Sequence, residues 1–166
     1  MTDENYLSQE IGKLLKSQGL WLATAESCTG GLLGHLITNA AGSSEYYLGG
    51  FITYSNDTKE RWLSVTLATL KQYGAVSRET VLEMARGVRY ACGEKFQPDK
   101  IIGVSISGIA GPGGGSPEKP VGMVWIGISS ESANDAFCFQ FMGDRGEIKM
   151  QSAKKALELI LSHLPQ

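Results

Sequence analysis

The chain has 166 residues, of which 42% are hydrophobic, so it is long enough for one domain with one core and too short for two domains of usual size. Its 15 Lys and Arg residues and 17 Asp and Glu residues give a formal net charge of -2, which excludes the basic surface of a protein that binds nucleic acid non-specifically. No apolar run approaches the length of a membrane span, and the N-terminus is polar where a signal peptide is basic and then apolar. We expect one cytoplasmic domain, residues 1–166, that has a small-molecule partner and contacts neither nucleic acid nor membrane.

The first half of the chain alternates helical and strand patterns. The predicted elements are a helix ending near Gly19, a strand ending at Ala23, a helix over Leu32–Ala40 and a strand over Gly49–Asn56. A helical turn that carries Lys59 follows, and either Asn56 or Asp57 is expected to cap it.

The second half adds two helices, a strand, a glycine-rich loop, a hairpin and a final helix. The two helices are predicted over Thr66–Tyr73 and after a cap at Ser77, the strand over Lys100–Ser107, and the glycine-rich loop over Gly108–Pro120. The strands of the hairpin begin at Val121 and Asp135, and the final helix runs from about Gly146 to Leu164. Helices before, between and after about five strands indicate a three-layer α/β/α sandwich with a mixed sheet. The hairpin argues against an all-parallel sheet.

The stretch TAESCTGG, Thr24–Gly31, joins an apolar strand to a helix. The first N–H groups of a helix have no partner within the helix, and the helix dipole adds partial positive charge, so this turn suits an anion or oxyanion. Ser27 lies at its mouth, and Gly30 and Gly31 would let a ligand approach the backbone. The turn is therefore a candidate site.

A serine hydroxyl is a weak nucleophile that needs a neighbouring base. The chain has two histidines, but His35 lies two turns down the helix that follows Ser27, and His163 lies close to the end of the chain. We therefore expect a lysine to serve as the base rather than either histidine.

Lys59 is the best placed lysine, because it follows the polar strand end Thr53–Asn56. For this role its pKa must fall from about 10.4 toward 7 to 8, through burial or nearby cations. Tyr54 and Arg61 could assist. Spacing alone favours the alternative, a solvated lysine on a helix face.

Two residues beside Ser27 each allow two interpretations. Cys28 could be the nucleophile, because a helix N-terminus lowers the pKa of a thiol, or it could be a small apolar residue whose N–H matters more than its sulfur. Glu26 could orient a cation or a substrate hydroxyl, or it could stabilise the helix N-terminus.

The three cysteines, Cys28, Cys92 and Cys138, are odd in number and irregularly spaced, which predicts free thiols.

The glycines of Gly108–Gly115 match neither the dinucleotide fingerprint nor the P-loop. Their N–H groups could still form an anion-binding nest. Arg145 opens the final helix, where a guanidinium could hold a phosphate in a bidentate manner. An ordinary surface arginine is the alternative interpretation.

Five motifs carry a resemblance to a known family: TAESCTGG, GSSEYYLGGFITYSNDTK, GAVS, VSISGIAGPGGGSPEKPVG and GDR, in that order. Together they resemble the CinA C-terminal family, the nicotinamide-nucleotide amidases, and the chain is similar to its stand-alone members. The resemblance implies hydrolysis of nicotinamide mononucleotide to nicotinate mononucleotide and ammonia in pyridine nucleotide recycling. It also implies a homo-oligomer, a dimer or higher, and no metal or cofactor.

Matched by position, the resemblance assigns the nucleophile to Ser27, the base to Lys59 and an assisting tyrosine to Tyr54. We expect the N–H groups of Cys28 and Thr29 to hold the oxyanion. Substrate contacts are expected at Glu26, Gly30, Gly31, Asn56, Ser107, Gly108, Gly111 and Arg145. Two alternatives remain: a non-catalytic nucleotide-sensing or competence-associated module, and an amidase that depends on Cys28.

Overall fold

Six α-helices and five β-strands lie within residues 3–93 and 95–164, the part of the chain that the structure, a computed structural model, describes. The helices are α1 Asp3–Gln18, α2 Leu32–Thr38, α3 Asn56–Leu63, α4 Leu67–Tyr73, α5 Arg78–Cys92 and α6 Arg145–His163. The strands are β1 Trp21–Glu26, β2 Tyr47–Ile52, β3 Ile101–Gly108, β4 Met123–Ser129 and β5 Asn134–Gln140.

The five strands form one mixed sheet, as the sequence predicts, and their order is β2-β1-β3-β4-β5. β1 runs parallel to both β2 and β3, whereas β4 and β5 form an antiparallel hairpin against β3. In the parallel part Glu26 pairs with Ile52 on one side and with Ile106 on the other. The carboxyl ends of three strands therefore meet at one edge of the sheet, where the turn that follows β1 begins.

Helices cover both faces of the sheet, because successive strand residues point to opposite sides. On β1, Leu22 packs in a cluster with α1, α2 and α6 that includes Leu157, whereas Ala25 packs with α3 to α5 in a cluster that includes Met84. Burying each such Leu or Met side chain contributes roughly 1.5–3 kcal/mol. The predicted three-layer α/β/α arrangement is confirmed.

The boundaries of the first two strands differ from the prediction. β1 continues past Ala23 to Glu26, and β2 occupies Tyr47–Ile52 rather than Gly49–Asn56. After Ile52 the N–H of Thr53 still donates to the carbonyl of Glu26 on β1 at 2.8 Å, but the carbonyl groups of Thr53 and Tyr54 accept hydrogen bonds from a lysine side chain instead of from a strand.

The N-terminal cap of α3 is Ser55, so the prediction of Asn56 or Asp57 was wrong. The Ser55 hydroxyl accepts a hydrogen bond from the N–H of Thr58 at 3.2 Å, which is the usual capping geometry. α3 therefore starts one residue earlier than expected, and Lys59 lies in its first turn. No helix within the described ranges has both the length and the apolar character needed to cross a bilayer.

Candidate active site

Ser27 is the first residue after β1, and its backbone is fixed at both ends. Its N–H donates to the carbonyl of Ile106 on β3 at 2.9 Å, and its own carbonyl accepts from the N–H of Gly30 at 3.1 Å. The residue is 8% exposed, so its side chain lies at the floor of a cleft rather than on an open surface.

Lys59 reaches the Ser27 side chain from α3. Its Nζ atom lies 3.1 Å from Ser27 Oγ and donates to the carbonyl oxygens of Thr53 at 2.7 Å and Tyr54 at 3.4 Å. The residue is 1% exposed. The structure therefore favours a buried Lys59 over a solvated lysine on a helix face.

Burial lowers the pKa of Lys59 to about 8 from its ordinary 10.5, because the ammonium loses its water. At pH 7 about a tenth of such an amine is neutral. A neutral amine has two N–H bonds and one lone pair. If the N–H groups are held by the carbonyl oxygens of Thr53 and Tyr54, the lone pair faces the hydroxyl of Ser27, and this arrangement can activate the serine.

Cys28 is buried in the cluster between the sheet and α1, α2 and α6. Burial raises the pKa of its thiol to about 11, which outweighs the effects of the nearby cations Lys59 and Lys149. The thiolate is the reactive form of cysteine, and very little is present at neutral pH with this pKa. The structure thus supports the interpretation of Cys28 as an apolar filler.

The carboxylate of Glu26 caps the N-terminus of α2. It accepts hydrogen bonds from the N–H groups of Gly31 at 3.0 Å, Leu33 at 3.0 Å and Gly34 at 2.8 Å, and the residue is 2% exposed. The expectation that this helix N-terminus awaits an anion was wrong, because the protein's own carboxylate occupies it. The structure favours the helix-stabilising interpretation of Glu26.

Two backbone donors beside the nucleophile remain open. The N–H groups of Cys28 and Thr29 donate to no other residue in ranges 3–93 and 95–164. The Thr29 hydroxyl is buried and also has no partner there. Cys28 lines the cleft, so its N–H can stabilise negative charge that develops on a bound carbonyl, and the N–H of Thr29, a fully buried residue outside the cleft's walls, is the second candidate.

The cleft at Ser27 has a volume of about 270 Å³. Its walls are the turn after β1, the Tyr54 and Lys59 side chains, the Ala75–Val76 segment, the loop that follows β3, and Arg145. Lys59 and Arg145 are the charged side chains among these wall residues, and none of them is acidic. The cleft therefore favours an anionic ligand.

The predicted site residues divide between this cleft and its surroundings. Those that line the cleft are Ser27, Cys28, Tyr54, Lys59, Ser107, Gly108, Gly111 and Arg145. Those outside its walls are Glu26, Thr29, Gly30, Gly31 and Asn56. Gly30 and Gly31 have φ values of 64° and 99°, so glycine is needed there for the turn itself.

Arg145 connects three parts of the cleft's rim. Its Nη1 donates to the carbonyl of Gly111 at 2.6 Å, and its Nη2 donates to the hydroxyl of Tyr54 at 2.9 Å. The side chain starts from the first residue of α6, whose N-terminus is closed by a capping box between Asp144 and Glu147. Arg145 is thus a link between α6, the glycine loop and Tyr54, which is 60% exposed.

Sequence analysis missed two features of the site. One is Thr53, whose carbonyl makes the shorter of the two backbone contacts to Lys59. The other is the wall at Ala75–Val76, which is fixed because the Ser107 hydroxyl donates to the carbonyl of Ala75 at 2.7 Å. The motif GAVS was the available signal for this wall, but no residue in it carries reactive chemistry.

The other polar candidates lie elsewhere. His35 on α2 contacts Asn39, the residue that caps the C-terminus of this helix, and His163 lies 3.5 Å from Asp135. Arg61 pairs with Asp57 on the exposed face of α3. In the described ranges, no three His, Cys, Asp or Glu side chains are grouped as metal ligands.

A larger cavity, of about 640 Å³, lies between α3 and α5. Trp62, Arg86 and Tyr90 are among its lining residues, but Ser27 and Lys59 are not. We assign the chemistry to the smaller cleft because it contains both the hydroxyl and the buried amine.

Comparisons with known proteins find similar sequences. A protein of Enterobacter agglomerans named nicotinamide-nucleotide amidohydrolase PncC is 49% identical over 156 residues, which cover 93% of this chain and 92% of the relative. A competence-damage inducible protein of Moorella thermoacetica is 50% identical over 96% of this chain, but this chain spans 37% of the length of that protein.

A solved structure shows the same architecture. The CinA superfamily protein from Klebsiella pneumoniae superposes with a TM-score of 0.90 at 31% identity, and the alignment covers 98% of each chain. The sequence profile of the CinA C-terminal domain matches residues 4–164. The chain belongs to the CinA C-terminal domain family.

Proposed function

We propose that the chain is an amidohydrolase that converts nicotinamide mononucleotide to nicotinate mononucleotide and ammonia. The observation that carries this proposal is the 3.1 Å contact between Lys59 Nζ and Ser27 Oγ at the floor of a cleft without acidic wall residues. The name of the Enterobacter relative supports the choice of substrate. The reaction would contribute to pyridine nucleotide recycling.

The first step is attack by the serine. Neutral Lys59 takes the proton of Ser27 while Oγ forms a bond to the carboxamide carbon of the substrate. The contact to the Thr53 carbonyl helps to keep the amine oriented, so that its lone pair faces the hydroxyl. A positioned base of this kind contributes about 10² to 10⁴ in rate.

The tetrahedral intermediate needs donors for its oxyanion. The open N–H groups of Cys28 and Thr29 are the donors that we assign to it. One well-placed donor contributes roughly 3 kcal/mol of transition-state stabilisation. The buried thiol of Cys28 has no role as a nucleophile in this scheme.

The second half of the reaction returns the enzyme to its starting state. The Lys59 ammonium gives its proton to the amide nitrogen, the carbon–nitrogen bond breaks, ammonia leaves, and an ester to Ser27 remains. Lys59, again neutral, then takes a proton from a water molecule that attacks the ester carbonyl. Nicotinate mononucleotide leaves, and the proton returns to Ser27 Oγ.

The rim of the cleft would hold the rest of the substrate. Arg145 and the glycine loop around Gly111 are assigned to the phosphate, and Tyr54 assists at the same rim.

We further propose that residues 1–166 work as one domain, in the cytoplasm and as a homo-oligomer, without nucleic acid or membrane partners. The thiols of Cys28, Cys92 and Cys138 are free, which fits a reducing compartment.

The direct test is ammonia release from nicotinamide mononucleotide by the purified chain. Activity that disappears in Ser27→Ala supports the proposal. A folded wild-type chain that binds the mononucleotide without releasing ammonia would instead be a nucleotide-sensing module.

A further inference from the structure

Lys149 is a cation beside the nucleophile turn that has no role in the reaction described above. It lies on α6 and is half-buried. A methyl group built at Gly30 would lie 3.7 Å from Lys149 Nζ, so the ammonium stands next to the turn that carries Ser27.

Lys149 differs from its neighbours on the same helix in having no anionic partner. Lys154 pairs with Asp3 at 2.9 Å, and Lys155 pairs with Glu158. No carboxylate from residues 3–93 or 95–164 forms an ion pair or hydrogen bond with Lys149. Its ammonium is therefore available to a bound anion.

The position of Lys149 relative to Arg145 defines where such an anion would bind. The two residues are four positions apart on one helix, so their side chains leave the same face about 5–6 Å apart. Arg145 uses its Nη1 and Nη2 atoms on Gly111 and Tyr54, whereas the three N–H bonds of Lys149 are open. Gly30, the residue beside the ammonium, is exposed and carries no side chain, and both Gly30 and Lys149 lie outside the wall residues of the cleft that contains Arg145.

We propose that Lys149 supplies the second positive charge for the phosphate of the substrate, beside Arg145, and so favours the phosphorylated substrate over the phosphate-free nucleoside. This inference rests on the proposed function. A phosphomonoester carries about -1.5 to -2 charges at pH 7, which two cations balance better than one.

The activity test compares Lys149→Met with Lys149→Arg and with the control Lys154→Met. The measured quantity is the ratio of kcat/KM for nicotinamide mononucleotide to kcat/KM for nicotinamide riboside. We expect Lys149→Met to lower this ratio about tenfold or more, mainly through KM for the mononucleotide. Lys149→Arg should keep most of the preference, and Lys154→Met should match the wild type. A Lys149→Met variant with an unchanged ratio overturns the proposal.

A binding measurement separates this inference from the proposed function. Isothermal titration with inorganic phosphate should give a dissociation constant about tenfold higher for Lys149→Met than for the wild type, and the difference should shrink at high salt. Equal constants, or no binding to either protein, overturn the proposal. A wild type that binds phosphate through Lys149 but releases no ammonia would contradict the proposed function and leave the anion site standing.

Discussion

The Nζ atom of Lys59 lies 3.1 Å from the Oγ atom of Ser27, although the two residues are 32 positions apart in the chain. The contact follows from the topology. β1 and β2 are parallel neighbours that end opposite each other, so the turn after β1 and the first turn of α3 leave the sheet at the same edge. This placement, with the burial of the amine, accounts for the proposed chemistry.

The pH dependence of the reaction should follow the ionisation of Lys59. Its pKa is lowered to about 8 by burial, and only the neutral amine can take the Ser27 proton. We expect kcat/KM to rise with pH up to about 8 and to level off above it. Steady-state kinetics from pH 6 to 10 measure this profile. A flat profile over the whole range would be inconsistent with a lysine base.

The same lowered pKa has a consequence for stability. The unfolded lysine, with a pKa near 10.5, binds its proton more tightly than the folded one. Between about pH 8 and 10.5 the unfolded state therefore holds more protons, and the free energy of unfolding gains a positive slope with pH from this group. Chemical denaturation across this window should give a more positive slope for the wild type than for Lys59→Met, because the other shifted groups, such as Cys28, are present in both proteins.

Ser27→Ala and Cys28→Ala should have opposite effects. Removing the Ser27 hydroxyl should lower ammonia release by several orders of magnitude. Removing the Cys28 sulfur should leave kcat within a few-fold and reduce stability by about 1 kcal/mol, because the buried side chain packs in the core. An active serine variant together with a dead cysteine variant would make Cys28 the nucleophile.

Glu26→Gln should destabilise the turn that carries Ser27 and the start of α2. A carboxylate accepts three N–H bonds here, whereas the NH₂ group of glutamine would face N–H donors without accepting from them. We expect a loss of about 1–3 kcal/mol in the free energy of unfolding and a lower kcat with little change in KM. Glu60→Gln, at an exposed position of α3, is the matched control. Equal melting temperatures for the two variants would count against the capping role.

Arg145→Ala should raise KM for nicotinamide mononucleotide much more than KM for nicotinamide riboside. The guanidinium is assigned to the phosphate, and its loss also frees Tyr54 and Gly111. Arg61→Ala removes an arginine that lies outside the cleft and serves as the control. The same rise in KM for both substrates would remove the phosphate role from Arg145.

Much of the fold follows from sequence periodicity, since the hairpin and the alternating elements predict a mixed sheet between two helical layers. The capping role of Glu26 could also have been predicted from the sequence. Alternation along β1 places Glu26 on the same face as Leu22, toward α2, but the predicted strand stopped at Ala23 and so gave no direction for this side chain. Correct strand ends would have favoured the capping interpretation.

The state of Lys59 could not be predicted from local sequence. Its burial depends on the early end of β2 at Ile52 and on the carbonyl groups of Thr53 and Tyr54, which turn toward the amine only in the folded chain. The sequence separation of Ser27 and Lys59 predicts no contact between them unless the parallel pairing of β1 and β2 is also known. The resemblance to a known family implied that Ser27 and Lys59 act together before the geometry brought them into contact.

The central claim is that Lys59 is the base that activates Ser27 toward a nucleotide carboxamide. The most direct measurement is the rate of ammonia release from nicotinamide mononucleotide by wild type, Lys59→Met and Lys59→Arg, with EDTA present. We predict an active wild type and a kcat at least about 10²-fold lower in both variants, because neither offers a neutral amine. Retention of wild-type kcat in Lys59→Met would contradict the account.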